Sequence, residues 1–448
     1  MSVTAGESGQ GAASGGNGAA LLATHGVRKS YPKADGDQLL VLDDVNLSVR
    51  PHEIVGLLGR SGSGKSTLLR IISGLEPQSG GAVEFQGRPV QGPVPGIAMV
   101  FQTFALFPWL TVLENVELGL SALGVPRAER QKKALAAIDL VGLDGYESAF
   151  PKELSGGMRQ RVGFARALVV SPTLLLMDEP FSALDVLTAE TLRTDFIDLW
   201  TEGRAATNAV VIVTHNIEEA VAFCDRVLVF SNNPGRIAAE IPIPLRHPRD
   251  RQSAPFQDLV ERIYTTLTER RRVPGGPKSP AGIGERLPRV SANKISGLME
   301  ALANPEFKGR ADLPDLARDL QLDVDELFPI LEALELLGFA QTKDGDVALT
   351  QAGHAYVDAG LLRRKVIFAE QLRRCVPLAN RIIRVLEERR QHRAPKSRFL
   401  EELEDYLPTE EAERVLDAII AWGRFAELFS FDMNSGELSL ENPGAEEH

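Results

Sequence analysis

Residues able to bind phosphate form one run near the start of the chain. The pattern Gly-x-x-x-x-Gly-Lys-Ser, followed by a threonine, contains Gly59, Ser61, Gly62, Ser63, Gly64, Lys65, Ser66 and Thr67. In such a run the glycines let backbone N–H groups curl around phosphate oxygens, and the lysine reaches the β- and γ-phosphates. The hydroxyl of Ser66 suits Mg²⁺. The run predicts a site for a nucleoside triphosphate; the alternative is a glycine-rich turn without a ligand.

Two adjacent acids end a strongly apolar stretch further along. Asp178 and Glu179 directly follow Leu174 to Met177. A buried strand has little structural use for adjacent acids unless they face a cation or a polar cleft. We expect Asp178 to bind Mg²⁺, directly or through water, and Glu179 to polarise an attacking water. The alternative is a strand end in solvent.

The elements that must position these residues are short strands alternating with helices. From Leu21 to about Arg270 the pattern is typical of an α/β architecture with buried strands. The predicted strands are Ile54–Leu58, Ile97–Phe101, Leu174–Met177, Val210–Val213 and Val227–Phe230. The phosphate-binding run follows the first of them and the acids follow the third. Both therefore belong at the carboxyl ends of strands, where α/β proteins bind ligands.

Four further elements occur in a characteristic order around these two. They are Gln102 after a strand, Leu154 to Arg161 with the sequence Leu-Ser-Gly-Gly-Met-Arg-Gln-Arg, Ser182 to Asp185, and Val213 to His215. Taken with the phosphate-binding run and the acids, this order resembles the nucleotide-binding subunit of ABC transporters over roughly residues 21–270. The resemblance implies a P-loop NTPase fold, an ABC ATPase domain with a helical subdomain, and ATP with Mg²⁺ as ligands.

The resemblance also implies roles for three polar residues. Tyr31 would stack on adenine, Gln102 would contact Mg²⁺ and the attacking water, and His215 would hydrogen-bond the γ-phosphate and position that water. Taken singly, Tyr31 is also compatible with ordinary packing, and His215 with a polar residue at a strand end. The surrounding motifs favour the functional roles.

A second copy of the subunit follows from the same resemblance. Ser155, Gly156 and Gly157 would bind the γ-phosphate held by the P-loop of the other copy, and Asp185 would communicate across the homodimer. Met158 stands where many members of the family have glutamine. The phosphate contacts use the preceding serine and glycine, so this departure leaves the predicted binding intact.

An apolar-aromatic stretch, Thr103 to Val112, falls in a predicted surface loop. Such patches usually mark contact sites; the alternative is packing against the helical subdomain. In the family this region receives the membrane-spanning permease subunits. Phe107 to Val112, with Met158 to Arg161 and Ser231 to Ile237, is similar to the nitrate/sulfonate/taurine/bicarbonate importer group. That likeness implies an ATPase on the cytoplasmic face of the inner membrane, served indirectly by a solute-binding protein.

Residues 271–290 are rich in proline, glycine and basic residues, which predicts a linker. Beyond it, residues 291–442 predict a mostly helical domain, in which Val324–Leu337 is a helix and Phe339–Leu349 is a hairpin. Three helices and a hairpin indicate a winged helix. A second, degenerate repeat of helices and a hairpin follows. The segment also resembles the AAA-associated C-terminal domain fused to some importer ATPases, for which regulation or dimer support is the natural hypothesis.

Winged helices often bind DNA, so the charges of this domain matter. The helix Val324–Leu337 carries four acids and no Lys or Arg, and would repel phosphates. The block Arg363–Arg398 holds twelve basic residues against three glutamates and is the only place where nucleic acid or acidic lipid could bind. Solvated helix faces that pair with the acidic flanks are the favoured explanation. No nucleic acid is expected. A DNA-binding C-terminal regulator and a soluble ABC ATPase without membrane partners are the alternatives.

The composition supports an ordinary globular protein. The 448 residues include 49 Lys and Arg and 61 Asp and Glu, for a formal charge of −12, and residues 295–448 hold 18 basic and 30 acidic groups. That acidic domain favours docking on proteins rather than nucleic acid. Two cysteines exclude a disulfide framework. Residues 1–20 predict a flexible Gly/Ala/Ser tail rather than a signal peptide, and 443–448 a second tail.

Overall fold

A computed structural model gives the fold. It describes residues 20–32, 38–182, 184–204, 207–231, 234–269, 282, 284–343 and 345–440. Outside these ranges lie the predicted tails 1–20 (except Ala20) and 443–448, most of the predicted linker 271–290, and the motif residues Ala183, Asn232, Asn233 and Asp344. The described residues form two compact units. The first runs to Thr214 and resumes at Glu219–Arg249; the second joins His215–Glu218 to the residues from Asp250 onward.

The main sheet of the first unit contains all five predicted strands. Its six strands, in the order β10-β9-β3-β8-β7-β6, are β3 (Ile54–Leu58), β6 (Ile97–Val100), β7 (Leu174–Asp178), β8 (Ala209–Thr214), β9 (Arg226–Phe230) and β10 (Ile237–Pro242). The pairs β3–β8, β3–β9, β6–β7 and β7–β8 are parallel, and only β10 is antiparallel to its neighbour. Strands β3, β7 and β8 are buried along their whole length. Their continuous apolar sequences follow from that burial.

A second, antiparallel sheet was not predicted. It has the order β2-β1-β4-β5, with β1 (Leu22–Pro32), β2 (Gln38–Val49), β4 (Gly80–Phe85) and β5 (Arg88–Pro89). The β1–β2 register shifts between Thr24 and Val27 and again around Lys29. Each shift interrupts the alternation of apolar and polar residues by which a strand is recognised.

The helices of the first unit carry the motifs and form the expected helical subdomain. They are α1 (Lys65–Ile72), α2 (Val112–Ala122), α3 (Arg127–Leu140), α4 (Gly156–Leu168) and α5 (Val186–Thr201), with α6 (Ile217–Phe223) beginning beside His215. Leu69 of α1 shares one buried cluster with Leu42 of β2 and Leu57 of β3. That packing fixes the helix on which the phosphate-binding run ends. Helices α2, α3 and α4 pack against one another.

After His215–Glu218, the second unit continues with α7 (Ala254–Glu269) and then repeats one order of elements. The first pass is α8 (Ala292–Leu302), β11 (Arg310–Asp312), α9 (Leu313–Leu320), α10 (Val324–Leu336), β12 (Ala340–Lys343) and β13 (Asp346–Leu349). After α11 (Gln351–Val357) and α12 (Leu361–Cys375) comes the second pass: α13 (Pro377–Glu388), β14 (Arg393–Pro395), α14 (Lys396–Glu404), α15 (Thr409–Phe425), β15 (Ser430–Asp432) and β16 (Glu437–Ser439). The sheets have matching orders, β11-β13-β12 and β14-β16-β15. The winged-helix designation stays a prediction.

Several residues of the basic block Arg363–Arg398 pair with acids. Arg381 Nε lies 2.7 Å from Glu402 of α14, and Lys396 Nζ lies 2.5 Å from Asp417 of α15. These ion pairs are the arrangement expected of solvated helix faces.

Among the described residues, none of the helices has the length and apolar character needed to cross a membrane.

Candidate active site

The phosphate-binding loop joins the end of β3 to the start of α1. Gly62 and Gly64 have φ angles of 79° and 91°, in the left-handed region that favours glycine. A Cβ atom on Gly64 would lie 2.6 Å from Cδ2 of Leu42. Glycine is therefore required at position 64, both because of the backbone conformation and because β2 approaches so closely.

Lys65 is held by the backbone of the same loop. Its side chain is buried, and Nζ donates hydrogen bonds to the carbonyl oxygens of Gly59 at 2.5 Å and Arg60 at 2.9 Å. The ammonium group thus lies beside the curled backbone, where the β- and γ-phosphates of a nucleotide are expected.

Ser66 and Asp178 meet although they are far apart in sequence. Ser66 Oγ donates a hydrogen bond of 2.8 Å to Oδ1 of Asp178, which is 5% exposed. Burial raises the pKa of Asp178 and the charge of Glu179 adds to that rise, while the Ser66 hydrogen bond and the charges of Arg70 and Lys65 oppose it. A cation at this position would relieve the cost of the buried carboxylate. Beside substrate phosphates, Mg²⁺ usually takes only a few oxygen ligands from the protein. The hydroxyl of Ser66 and the carboxylate of Asp178 are ligands of this kind, so the residues fit the ion.

Glu179 follows Asp178 in a strained backbone conformation. Its φ is 46°, which a residue other than glycine adopts at a cost of about 1–3 kcal/mol. Its N–H donates to the carbonyl of Val213 on β8 at 3.0 Å, and its own carbonyl accepts a 3.0 Å bond from Ser182 Oγ. Gln102 Nε2 donates to Glu179 Oε2 at 2.9 Å. The structure thus brings together two side chains that the sequence assigned to the attacking water.

Ser155 and Gly157 lie at the start of α4. Ser155 caps this helix, with Oγ accepting from the N–H of Met158 at 3.3 Å. A Cβ on Gly157 would lie 2.3 Å from Cγ2 of Thr188, so the helices α4 and α5 approach here as closely as only glycine allows. Ser155 is exposed, and its role at the site of a second copy stays a prediction.

Asp185 caps α5 next to this contact. Its Oδ1 accepts from the N–H of Thr188 at 3.1 Å, and hydrogen bonds from Thr188 lower the pKa of Asp185. Thr188 therefore links the two predicted dimer motifs. Sequence reasoning missed Thr188, and the only available signal was its spacing of three residues from the helix cap.

Tyr31 is engaged within β1 and its surroundings. Its hydroxyl donates to Oε1 of Glu76, and Lys29 Nζ lies 4.9 Å from the centre of its ring. Burial raises the pKa of Tyr31, and the hydrogen bond to Glu76 adds to the shift. Thr67 of the phosphate-binding run also hydrogen-bonds Tyr31. The ring thus lies near that run, and its stacking on adenine stays a prediction.

Comparison with known proteins decides the family. A family model described as "ABC transporter" matches residues 42–182, and one described as "C-terminal AAA-associated domain" matches residues 314–432. An uncharacterised ABC transporter ATP-binding protein of Methanocaldococcus jannaschii is 43% identical over 235 residues, which are 52% of this chain and 87% of that protein. The chain belongs to the ABC transporter ATP-binding proteins.

Two relatives of this ABC ATPase are named for import. The nitrate import ATP-binding protein of Synechocystis is 44% identical over 207 residues, 46% of this chain and 77% of that protein. The taurine import ATP-binding protein of Pseudomonas putida is 44% identical over 222 residues, 50% of this chain and 82% of that protein. The resemblance to the importer group and to the C-terminal domain is confirmed.

The predicted contact loop of the ABC ATPase presents aromatic side chains to solvent. Trp109 is 68% and Phe107 is 41% exposed, and their ring centres are 5.3 Å apart. The fully buried Asn115 of α2 holds the backbone beneath them: its Nδ2 donates to the carbonyls of Phe107 and Leu110, and its Oδ1 accepts from the N–H of Phe107. The structure therefore does not show these two rings packed against the helical subdomain.

His215 has partners that the sequence did not predict. Its Nε2 lies 3.1 Å from Oδ2 of Asp323, and its Nδ1 lies 3.9 Å from Oδ2 of Asp325. Both acids belong to the start of α10 in the second unit, which includes His215 itself. No motif or spacing in the sequence links these residues. The predicted contact of His215 with the γ-phosphate stays a prediction.

Proposed function

We propose that this ABC ATPase hydrolyses ATP with Glu179 as the residue that polarises the attacking water. The observation that carries the proposal is a pair of hydrogen bonds made at the end of β7: Ser66 of α1 donates to Asp178, and Gln102, which follows β6, donates to Glu179. The P-loop amides and Lys65 bind the phosphates. Asp178 and Ser66 would hold Mg²⁺, which when bound neutralises charge on the phosphate oxygens. Gln102 fixes the Glu179 carboxylate by its hydrogen bond.

Two copies of the chain complete the site in this proposal. Ser155, at the N-terminal end of the thirteen-residue helix α4, and Asp185 are both exposed. A helix N-terminus carries partial positive charge and suits a phosphate. We therefore place Ser155, Gly156 and Gly157 of one copy on the γ-phosphate held by the P-loop of the other, so that ATP closes the dimer and hydrolysis reopens it.

The proposed task is uptake of a small anion such as nitrate or a sulfonate. The names of the nitrate and taurine import relatives support it. The exposed pair Phe107 and Trp109 is the surface on which we expect a permease subunit to dock. The protein would then be peripheral on the cytoplasmic face of the membrane, and a solute-binding protein would deliver the anion from the other side.

Steady-state ATP turnover of the Glu179→Gln variant tests the catalytic proposal. The amide keeps the shape of the side chain and removes the charge that polarises water, so turnover should fall by roughly 100-fold or more. Glu129→Gln, on the exposed face of α3, is the matched control and should hydrolyse ATP at the wild-type rate. Unchanged hydrolysis in Glu179→Gln would contradict the assignment.

A further inference from the structure

The segment His215–Glu218 belongs to the second unit by its contacts. His215 directly follows β8, yet its imidazole faces two carboxylates of α10, those of Asp323 and Asp325. The side chain of His215 is 18% exposed. The residue to which the family resemblance gives a γ-phosphate contact is therefore in contact with the C-terminal part of the chain.

Asp323 is a rigid partner for this imidazole. It caps α10, with its side chain accepting a 3.0 Å hydrogen bond from the N–H of Glu326. Burial raises the pKa of Asp323, but the hydrogen bond and the charge of His215, together with backbone N–H groups, outweigh that effect and lower it. Asp323 is therefore a fixed, ionised acceptor at the helix end.

Contacts on both sides of the pair hold α10 in place. Phe328 of α10 stacks on Tyr264 of α7, with ring centres 6.4 Å apart and planes 8° from parallel. Arg318 of α9 donates to Gln257 Oε1 of α7 at 2.6 Å, and its Nε lies 3.5 Å from Glu218, three residues after His215. The His215 segment is thus fastened to α9 and α10 at two points.

We propose that Asp323 and Asp325 form an autoinhibitory latch that withholds His215 from ATP. One N–H cannot donate fully to Asp323 and to a phosphate oxygen at once, since each bond needs the hydrogen near its own donor–acceptor line. The two carboxylates would also repel a triphosphate brought to the same imidazole. A signal that moves α10 away from His215 therefore releases the ATPase. The latch rests on the proposed function, because it regulates that same site.

Asp323→Ser in the full-length chain tests the latch. Serine keeps the helix cap, since it is as good a capping residue as aspartate, but its shorter side chain removes the carboxylate from His215. ATP turnover should rise by roughly 10-fold, which is the factor that corresponds to about 1.4 kcal/mol. Asp312→Ser makes the same exchange at the cap of α9 and should leave turnover unchanged.

Turnover of Asp323→Ser at or below the wild-type rate would overturn the latch. Glu179→Gln measured in parallel separates this failure from that of the proposed function: wild-type turnover no higher than that of Glu179→Gln would reject Glu179 as the residue that polarises water, whatever the result for Asp323→Ser.

A second measurement does not depend on hydrolysis. Diethyl pyrocarbonate acylates accessible imidazole nitrogens, and peptide mass spectrometry reports the rate at His215. We expect several-fold faster modification of His215 in Asp323→Ser than in the wild type or Asp312→Ser. Equal rates in all three proteins would overturn the latch whatever their ATPase activity.

Discussion

Two regions of the first unit with predicted functions differ in how far their side chains contact one another within the chain. Around Asp178 the predicted side chains contact one another inside the chain: Ser66 bonds Asp178, and Gln102 bonds Glu179. At the start of α4 and in the loop of Trp109, buried contacts hold the backbone, while Ser155 and Trp109 themselves are exposed.

We expect this difference to separate residues that act within one chain from residues that act on another chain. Asn115 and Thr188 fix backbones without supplying chemistry of their own. Trp109 and Ser155 are exposed and gain their proposed function only when a permease subunit or a second copy approaches. Variants can therefore separately alter the residues that fix the backbones, the exposed side chains, and the hydrogen-bonded side chains around Asp178.

Among variants that test this comparison, we expect the largest effect from Trp109→Ala, which weakens binding of the permease. Removal of a central aromatic side chain from an interface costs about 2 kcal/mol, and that cost corresponds to roughly 30-fold weaker binding of the permease. We expect anion uptake by the reconstituted transporter to fall accordingly, while the isolated subunit hydrolyses ATP as before.

Leu123→Ala is the control, since Leu123 is 58% exposed at the end of α2, outside the contact loop. Proteoliposome uptake and ATP turnover, measured on the same preparations, check this prediction. Equal uptake by Trp109→Ala and Leu123→Ala would show that the loop is not the docking surface.

A smaller effect is expected from Gly157→Ala, which disturbs the close contact of α4 and α5 next to Ser155. The added methyl group would collide with Thr188 Cγ2, so stability should fall by about 1–3 kcal/mol, the usual cost of overpacking. ATP turnover should fall with it. Thr188→Ser removes the colliding methyl group and should restore part of both losses.

Gly163→Ala provides the comparison within the same helix. A Cβ there has Phe104 O as its nearest neighbour at 3.9 Å, so alanine should stabilise α4 by roughly 1 kcal/mol. Thermal unfolding checks both variants. The close approach of α4 and α5 would be refuted by equal shifts of the melting temperature in Gly157→Ala and Gly163→Ala.

Much of the first unit was predictable because its signals are local. A buried parallel strand is a continuous apolar run, and a P-loop is a contiguous motif, so β3, β7 and the residues around Lys65 and Asp178 could be located from their own neighbours. The antiparallel sheet was missed because register shifts in β1 interrupt its alternating pattern. The placements agree with the predicted sites, and the catalytic roles stay predictions.

The contact of His215 with Asp323 could not be predicted for the opposite reason. Each residue has a sufficient local explanation, as a polar residue after a strand and as a helix cap. Nothing in either neighbourhood encodes the other, because the pairing depends on how α7, α9 and α10 pack in the second unit.

In the proposed mechanism, two copies of the chain share each ATP site. Mixing Lys65→Ala with Ser155→Arg copies tests it, because each variant alone should be inactive by losing a different half of every site. In a mixed dimer, one site combines the intact P-loop of the second variant with the intact Ser155 of the first. We predict that ATP hydrolysis by the co-purified mixture rises well above that of either parent. Hydrolysis no higher than that of the parents would contradict the shared site.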